Sequence, residues 1–594
     1  MKTGNINKIC MMIAMIAIVS CKKNDLLNLT PPTQLSDASY WNTPADLVTY
    51  ANNFYNYQDV FYLGGNIGNF DIDDNSDNLL PTRPDNRLDG LNTVVANSSY
   101  PDWAGIYDAN YFLANYQRVK GDPSVINPSV GEAYFFRAQL YFNALQLVGG
   151  VPWINKPLQS TDTALIYAPR QPRNILADSI VSDLNRTIAL LPSKGGTTQQ
   201  LRYYKEYAEA FLSRVCLYEG TWEKYHAGDA FGVSGQNGST FLQEAADAAQ
   251  ACMNSGIFGL DNVRVPNGYF NLFNLIDYSA SKEVIFWKAY NQTPDFINNA
   301  WQNFYQLGST GSAADGLSQS LINDYLCIDG KPISVSPLYK GDDTLLHVIA
   351  NRDPRLHQTI FTYGDTVVTN NPGSTPLFLF TYPAFNTGNN ICTTGYQIKK
   401  GLSYNANLNT YTGGSGTQGL IYMRYAEVLL NYAEAKAELG TITQGDIDLS
   451  INLLRDRVGM PHLNMASITT DPHWIFPELP PIINEVRRER RVELSCEGFR
   501  LNDILRWAAA PDLIVKKQPA GAASKQFLTV PLQGGGSFVV GSNIFLNAQE
   551  YIIPYGNNPN VASGYGFNVG RDYLLPIPLA QTVANPKIKQ NPGW

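Results

Sequence analysis

Histidine, cysteine and charge are all scarce in this chain. The 5 His residues of 594 (226, 347, 357, 462 and 473) stand far apart, with no HExxH pair and no ligand spacing. Of 7 Cys, five lie beyond the N-terminal segment, at 216, 252, 327, 392 and 496, and none falls in a CxxC or a Cys/His cluster. Structural zinc is therefore excluded, and buried free thiols are the simplest expectation. Charged residues make up only 16%, and 43 Lys+Arg against 51 Asp+Glu leave a net charge of −8. So thin a basic complement gives no footprint for nucleic acid. Walker A and GxSxG motifs are missing. A lone GxGxxG at 414–419 follows the polar residues 405–413, not the buried strand that a dinucleotide site requires, and reads as a loop. No apolar run is long enough to cross a bilayer as a helix.

What is present begins at the N-terminus. Lys2 and Lys8 precede an apolar run at 9–19 that ends in Ser20-Cys21. A basic region, a short apolar region and a small residue before Cys form the pattern of a bacterial lipoprotein signal. Cleavage before Cys21 leaves that residue free for acylation, and several acyl chains make a stable anchor at about 0.8 kcal/mol per buried CH₂. Residues 1–20 are thus expected to be a signal peptide. Residues 21–40, with Pro31-Pro32, are expected to be a lipidated tether, and 41–594 to be a single domain.

Within that domain, apolar residues recur at helical spacing over about 104–119, 130–148, 173–191, 203–220, 240–254, 422–439, 445–458 and 483–507. Two of these windows repeat each other: EAYFFRAQLY (132–141) and EAFLSRVCLY (209–218) share Glu, Ala, an aromatic, Arg, Leu and Tyr in register. Small residues that admit a partner helix, beside a ring that fills the gap, follow the packing logic of tetratricopeptide-like helix pairs. The expected fold is mainly α: a helix-pair scaffold over about 104–255 and 420–507. Long irregular insertions with a few short strands, rich in Gly, Asn, Thr, Pro and rings, occupy about 256–420 and 510–570.

Two segments suit ligand contact. Residues 71–77 carry Asp73, Asn75 and Asp77 at alternate positions, with Arg83 and Arg87 following. This resembles the start of a calcium loop, but Ser76 stands where glycine is needed and Thr82 where the closing Glu belongs. Two readings remain, a sugar hydrogen-bonding loop or a solvated acidic turn. The second segment, 287–305, holds Trp287, Tyr290, Phe296, Trp301, Phe304 and Tyr305, interleaved with Asn298, Asn299 and Asn303. Rings stack on the C–H face of a sugar while amides meet its hydroxyls, although the same spacing also fits one buried helix face. The charged stretch 484–500 alternates Glu485, Glu489, Glu493 and Glu497 with Arg487, Arg488, Arg490 and Arg491, and reads as a salt-bridged structural helix, worth a few tenths of a kcal/mol per exposed pair.

Several motifs then fall in a recognisable order: GEAYFFRAQLYFNALQLVGGVPWI (131–154), RDPRL (352–356), MRYAEVLLNYAEAKAELG (423–440), INLLRDRVGM (451–460), RRERRVELSCEGFRLNDILRW (487–507), and YLLPIP with the terminal NPKIKQNPGW (573–594). Preceded by a lipoprotein signal, they resemble the SusD/RagB family of nutrient-binding lipoproteins of Bacteroidetes, from the signal to the last residue. The resemblance implies a non-catalytic, cofactor-free and metal-free protein held to the outer membrane through Cys21 and facing the exterior. Its partners would be an oligosaccharide and a SusC-like TonB-dependent transporter. Peptides or other nutrients are the alternative cargo, and a glycoside hydrolase on the same scaffold is the remaining one. It also places ligand loops at about 66–90 and 287–305, and makes Arg137, Glu427, Arg490 and Glu497 scaffold residues. After Cys21, Lys22-Lys23-Asn24-Asp25 departs from the more acidic stretch that many surface-exposed relatives carry.

Overall fold

The computed structural model describes residues 40–56, 73, 75–97, 101–195, 201–290, 315–369, 377–383, 385, 392–401, 417–530 and 537–594. Cys21, the signal and the tether residues before Tyr40 lie outside that set. Helices of seven residues or more are numbered. They are α1 (Pro44–Asn52), α2 (Trp103–Asn115), α3 (Pro123–Val148), α4 (Arg173–Leu190), α5 (Lys205–Tyr225) and α6 (Ser239–Asn254), followed by α7 (Tyr425–Glu438), α8 (Ile451–Val458), α9 (Pro481–Glu493) and α10 (Arg500–Arg506). The strands are β1 (Val284–Lys288), β2 (Thr366–Thr369), β3 (Leu377–Leu379) and β4 (Leu420–Arg424), which form two antiparallel pairs, β1–β4 and β2–β3.

Neighbouring helices pack in sequence, α3 on α4, α4 on α5, α5 on α6, and then α7 on α6 and α9. The repeated motif explains the stacking. Arg137 of α3 donates two bonds to Asp183 of α4, at 2.7 and 2.8 Å. Its counterpart Arg214 of α5 makes the same fork to Glu427 of α7, at 2.6 and 2.7 Å. Each copy of the motif is therefore keyed to a packed neighbouring helix with a bidentate pair. Phe135, Phe136, Phe211 and Phe142 fill the gap between the pairs, each burial contributing about 1.5–3 kcal/mol.

Several elements depart from the helical windows, each for a local reason. Helix α3 starts at Pro123, not near 130, because Asp122 caps it through the Ser124 N–H and Pro123 supplies a preset first position. Pro128 is carried inside it. Residues 420–424 form β4 against β1 instead of a first helical turn. The window 483–507 breaks into α9 and α10, with Cys496 and Gly498 in the left-handed region at φ 64° and 81°.

Beyond the helical core, a second hydrophobic cluster joins Leu79, Tyr269, Phe273, Trp287, Leu317, Phe361, Tyr396 and Phe527, so much of the irregular region has a core of its own. Trp287, counted among the candidate rings, belongs to this core and meets Tyr278 edge-on at 5.5 Å. Helix α9 joins the two parts, and here too the expectation is corrected: its charges are buried, not exposed. Glu493 accepts from Arg457 and Arg424, each at 2.6 Å, and from Arg355 at 2.9 Å. Arg490 pairs with Asp503 of α10 at 2.9 Å, and Glu497 with Arg424 and Lys400. Arg137, Glu427, Arg490 and Glu497 are thus scaffold residues. Cys216, Cys252, Cys327, Cys392 and Cys496 are buried free thiols, and burial pushes the Cys392 thiol up to about 12.

Candidate functional site

The first segment chosen from sequence is joined to residues that follow the second one in the chain. Residues 78–80 run antiparallel to 316–318. The Leu80 N–H donates to the Gly316 carbonyl and the Ser318 N–H to the Asn78 carbonyl, both at 2.9 Å, and Leu79 faces Leu317. Residues 315–318 lie just past the ring-bearing insertion, and its other end leaves β1 at Tyr290. Two further segments complete the base. The Leu317 N–H donates to the Tyr396 carbonyl at 3.0 Å, and the Ala522 N–H to the Thr394 carbonyl at 2.7 Å. Thr393 bonds the Leu80 carbonyl through its hydroxyl. The crossing is tight: a Cβ on Gly316 would sit 2.2 Å from Thr394 Oγ1, and one on Gly521 2.3 Å from the Thr394 carbonyl oxygen. Sequence reasoning missed 392–396 and 520–522, since a contact between distant loops leaves no local periodicity. Gly316 and Gly521 were the one signal available.

Below this base the acidic residues of the first segment have structural work. Asp73, almost fully buried, accepts the backbone N–H groups of Cys496, Gly498 and Arg500 at 2.7, 3.1 and 3.4 Å, and the Asn78 amide at 3.1 Å. Its carboxylate thus holds the turn that separates α9 from α10, and it supplies the reason for the break in that window. Burial raises the Asp73 carboxyl above its ordinary range despite these bonds. Asp77 accepts from Arg500 at 2.6 and 2.9 Å and from Arg491 at 2.9 Å. Burial acts to raise its pKa, but the two guanidinium groups outweigh that and hold it below the ordinary value. Arg491 also donates to Asp324 at 2.5 Å and to the Asn78 carbonyl oxygen of the side chain at 2.9 Å. The expected sugar-binding role of Asp73 and Asp77 therefore gives way to a scaffold role, because both carboxylates are buried and saturated by protein donors. Arg87, a further candidate, is likewise buried and donates to the Asp572 and Tyr573 carbonyls at 2.6 and 2.7 Å.

The remaining candidates stand apart from this buried layer. Arg83 is exposed beyond the stapled stretch, and Asn75 is half-buried in the turn that leads into it. Tyr290 is half-buried at the end of β1, packed on the helical core with the Lys288 ammonium 5.3 Å from its ring centroid. Strand β1 is itself held rigid: Phe286 stacks on Tyr207 at 4.5 Å and on Tyr422 at 5.7 Å. Phe296, Trp301 and Tyr305 lie outside the described residues. Among the described residues no three His, Cys, Asp or Glu gather as metal ligands, and no helix is long and apolar enough to cross a membrane.

Comparison with known proteins agrees with this architecture. Residues 277–594 match the model of the SusD family, and residues 73–217 match a family described as starch-binding associating with outer membrane. SusD-like protein P2 of Formosa agariphila is 24% identical over 603 residues, covering 99% of both chains. Among solved structures, a SusD-like carbohydrate binding protein from Bacteroides fragilis superposes with a TM-score of 0.68 at 22% identity, over 93% of this chain and 100% of the other. A laminarin binding SusD-like protein gives 0.58 at 19% identity, over 93% and 100%. With more than half of its length matched by one family model, and the helix pairs, the α9 motif and the C-terminal motif in place, this chain belongs to the SusD family.

Proposed function

We propose that this chain is a non-catalytic glycan-binding lipoprotein, anchored through Cys21 at the exterior of a bacterial outer membrane, that hands oligosaccharides to a SusC-like TonB-dependent transporter. The observation that carries the reading is the backbone ladder joining residues 78–80 to 316–318. It joins the polar segment, between Asn75 and Arg83, to residues that follow in the sequence the stretch carrying Phe296, Trp301 and Tyr305, a stretch that Tyr290 precedes. Rings supply stacking faces, and the amide and guanidinium groups supply hydroxyl partners. The described scaffold around residues 78–80 is locked by buried ion pairs, among them Asp77 with Arg491 and Arg500. Family membership and the carbohydrate- and laminarin-binding relatives support a sugar cargo, and the family described as associating with outer membrane supports the location.

The test is titration of the full-length protein in detergent with a panel of oligosaccharides. Tyr290→Ala, Trp301→Ala and Arg83→Ala are each expected to weaken the best binder about tenfold or more, with an unchanged unfolding midpoint for the exposed Arg83. Unchanged affinity in all three would overturn the assignment of this surface.

A further inference from the structure

A cavity lies between α8, α9 and the segments that follow α8 and Cys327, and shares no lining residue with the candidate site. It has a volume of about 210 Å³, and its walls come from residues 329–332, from 461–469 after α8, and from Arg455 and Glu485. That is room for on the order of ten waters, or for one pyranose ring. Its floor is unusual. Arg455 is only 3% exposed, and it uses Nε on Glu489 at 3.0 Å and Nη1 on the Pro461 carbonyl at 3.3 Å. Its Nη2 is buried with no hydrogen-bond partner. Glu485 Oε2 stands 3.7 Å away, beyond hydrogen-bond range, while Oε1 of the same group is held by Arg488 at 2.7 Å. Nη2 thus has an ion-pair partner but no hydrogen bond, and a buried donor without one costs about 1–3 kcal/mol, which an added acceptor would recover.

The pairing identifies the ligand chemistry. A donor and an acceptor 3.7 Å apart are bridged by a group that accepts from one and donates to the other, which an alcohol does as water does. A carboxylate or phosphate would satisfy Arg455 but face Glu485 with like charge, and an ammonium would do the reverse. Pro332, Leu463 and Ile468 add apolar wall, while His462, Asn464 and Ser467 stand exposed at the mouth. A polyol with a C–H face matches all of these.

We infer that this cavity is a second sugar site, taking a single neutral hexose or the terminal residue of a glycan by bridging one hydroxyl between Arg455 and Glu485. It is separate from the surface around Arg83 and Tyr290 and does not depend on it. The test is saturation-transfer NMR of full-length protein in detergent with glucose, galactose, mannose and, as the charged control, glucuronate. At least one neutral hexose is expected to show transfer. That signal should be lost in Ser467→Trp and Asn464→Trp, which fill the exposed mouth without touching the Arg455–Glu489 and Glu485–Arg488 pairs, and kept in Arg83→Ala/Tyr290→Ala, which leaves this cavity intact. No transfer from any neutral hexose, transfer that survives both mouth variants, or transfer abolished by the Arg83/Tyr290 double variant would each overturn the inference.

Discussion

Replacing Asp77 by Asn separates a scaffold residue from a ligand residue. In the folded protein this carboxylate is buried between Arg491 and Arg500, with three bonds of 2.6–2.9 Å. Arg491 retains Asp324 when the charge is removed, at 2.5 Å. For Arg500, Asp77 is the carboxylate within ion-pair distance, so its guanidinium is left buried and uncompensated. Breaking a buried pair in this way costs about 3–5 kcal/mol. Unfolding entropy of about 2.1 cal/mol/K per residue makes this a shift of about 2–4 °C in midpoint for a chain of this length. Thermal or urea unfolding followed by circular dichroism measures it. The pH dependence gives a second check. The folded carboxyl lies below its unfolded value of about 3.9, so the contribution is complete above about pH 4 and is lost as pH falls through the lower folded value. The wild type and Asp77→Asn should therefore converge in stability in strong acid. A variant with an unchanged midpoint at pH 7 but lost glycan affinity would refute the scaffold assignment.

Two further outcomes are expected. Glu493→Gln leaves Arg355, Arg424 and Arg457 facing a neutral amide, and should cost about 3–5 kcal/mol in urea unfolding; a cost below about 1 kcal/mol would show the knot to be energetically idle. Asp89 behaves oppositely: burial first, and then Asp85, push its carboxyl up to about 6, and its Oδ1 has no hydrogen-bond partner. Its charged form is thus disfavoured in the fold, stability should rise as pH falls from 7 through 6 towards 4, and Asp89→Asn should stabilise the protein at pH 7.5 by about 1–2 kcal/mol, with no gain contradicting the sign.

Much of the scaffold was legible because its signals are local. Helical spacing located most of the long helices, and the shared Arg of EAYFFRAQLY and EAFLSRVCLY does mark equivalent forks, to Asp183 and to Glu427. What escaped was non-local. The break after Glu493 depends on a carboxylate supplied by Asp73, more than four hundred residues earlier in the chain. Alternating charge along 484–500 reads the same whether it faces water or core, and only packing on both sides of α9 shows that it faces core. In the candidate site, acidic side chains at alternate positions suggested a polar ligand loop, yet the arginines that claim Asp77 come from α9 and α10. The ladder between 78–80 and 316–318 likewise has no local signature, and residues 316–318 lie outside the segment 287–305 that composition picked out.

The central claim, capture of glycan without cleavage, is tested most directly by one NMR time course of full-length protein in detergent mixed with an oligosaccharide panel. The account predicts saturation transfer to at least one oligosaccharide, with every chain length unchanged after prolonged incubation. Appearance of shortened products, or transfer to peptides and to no oligosaccharide, would contradict it.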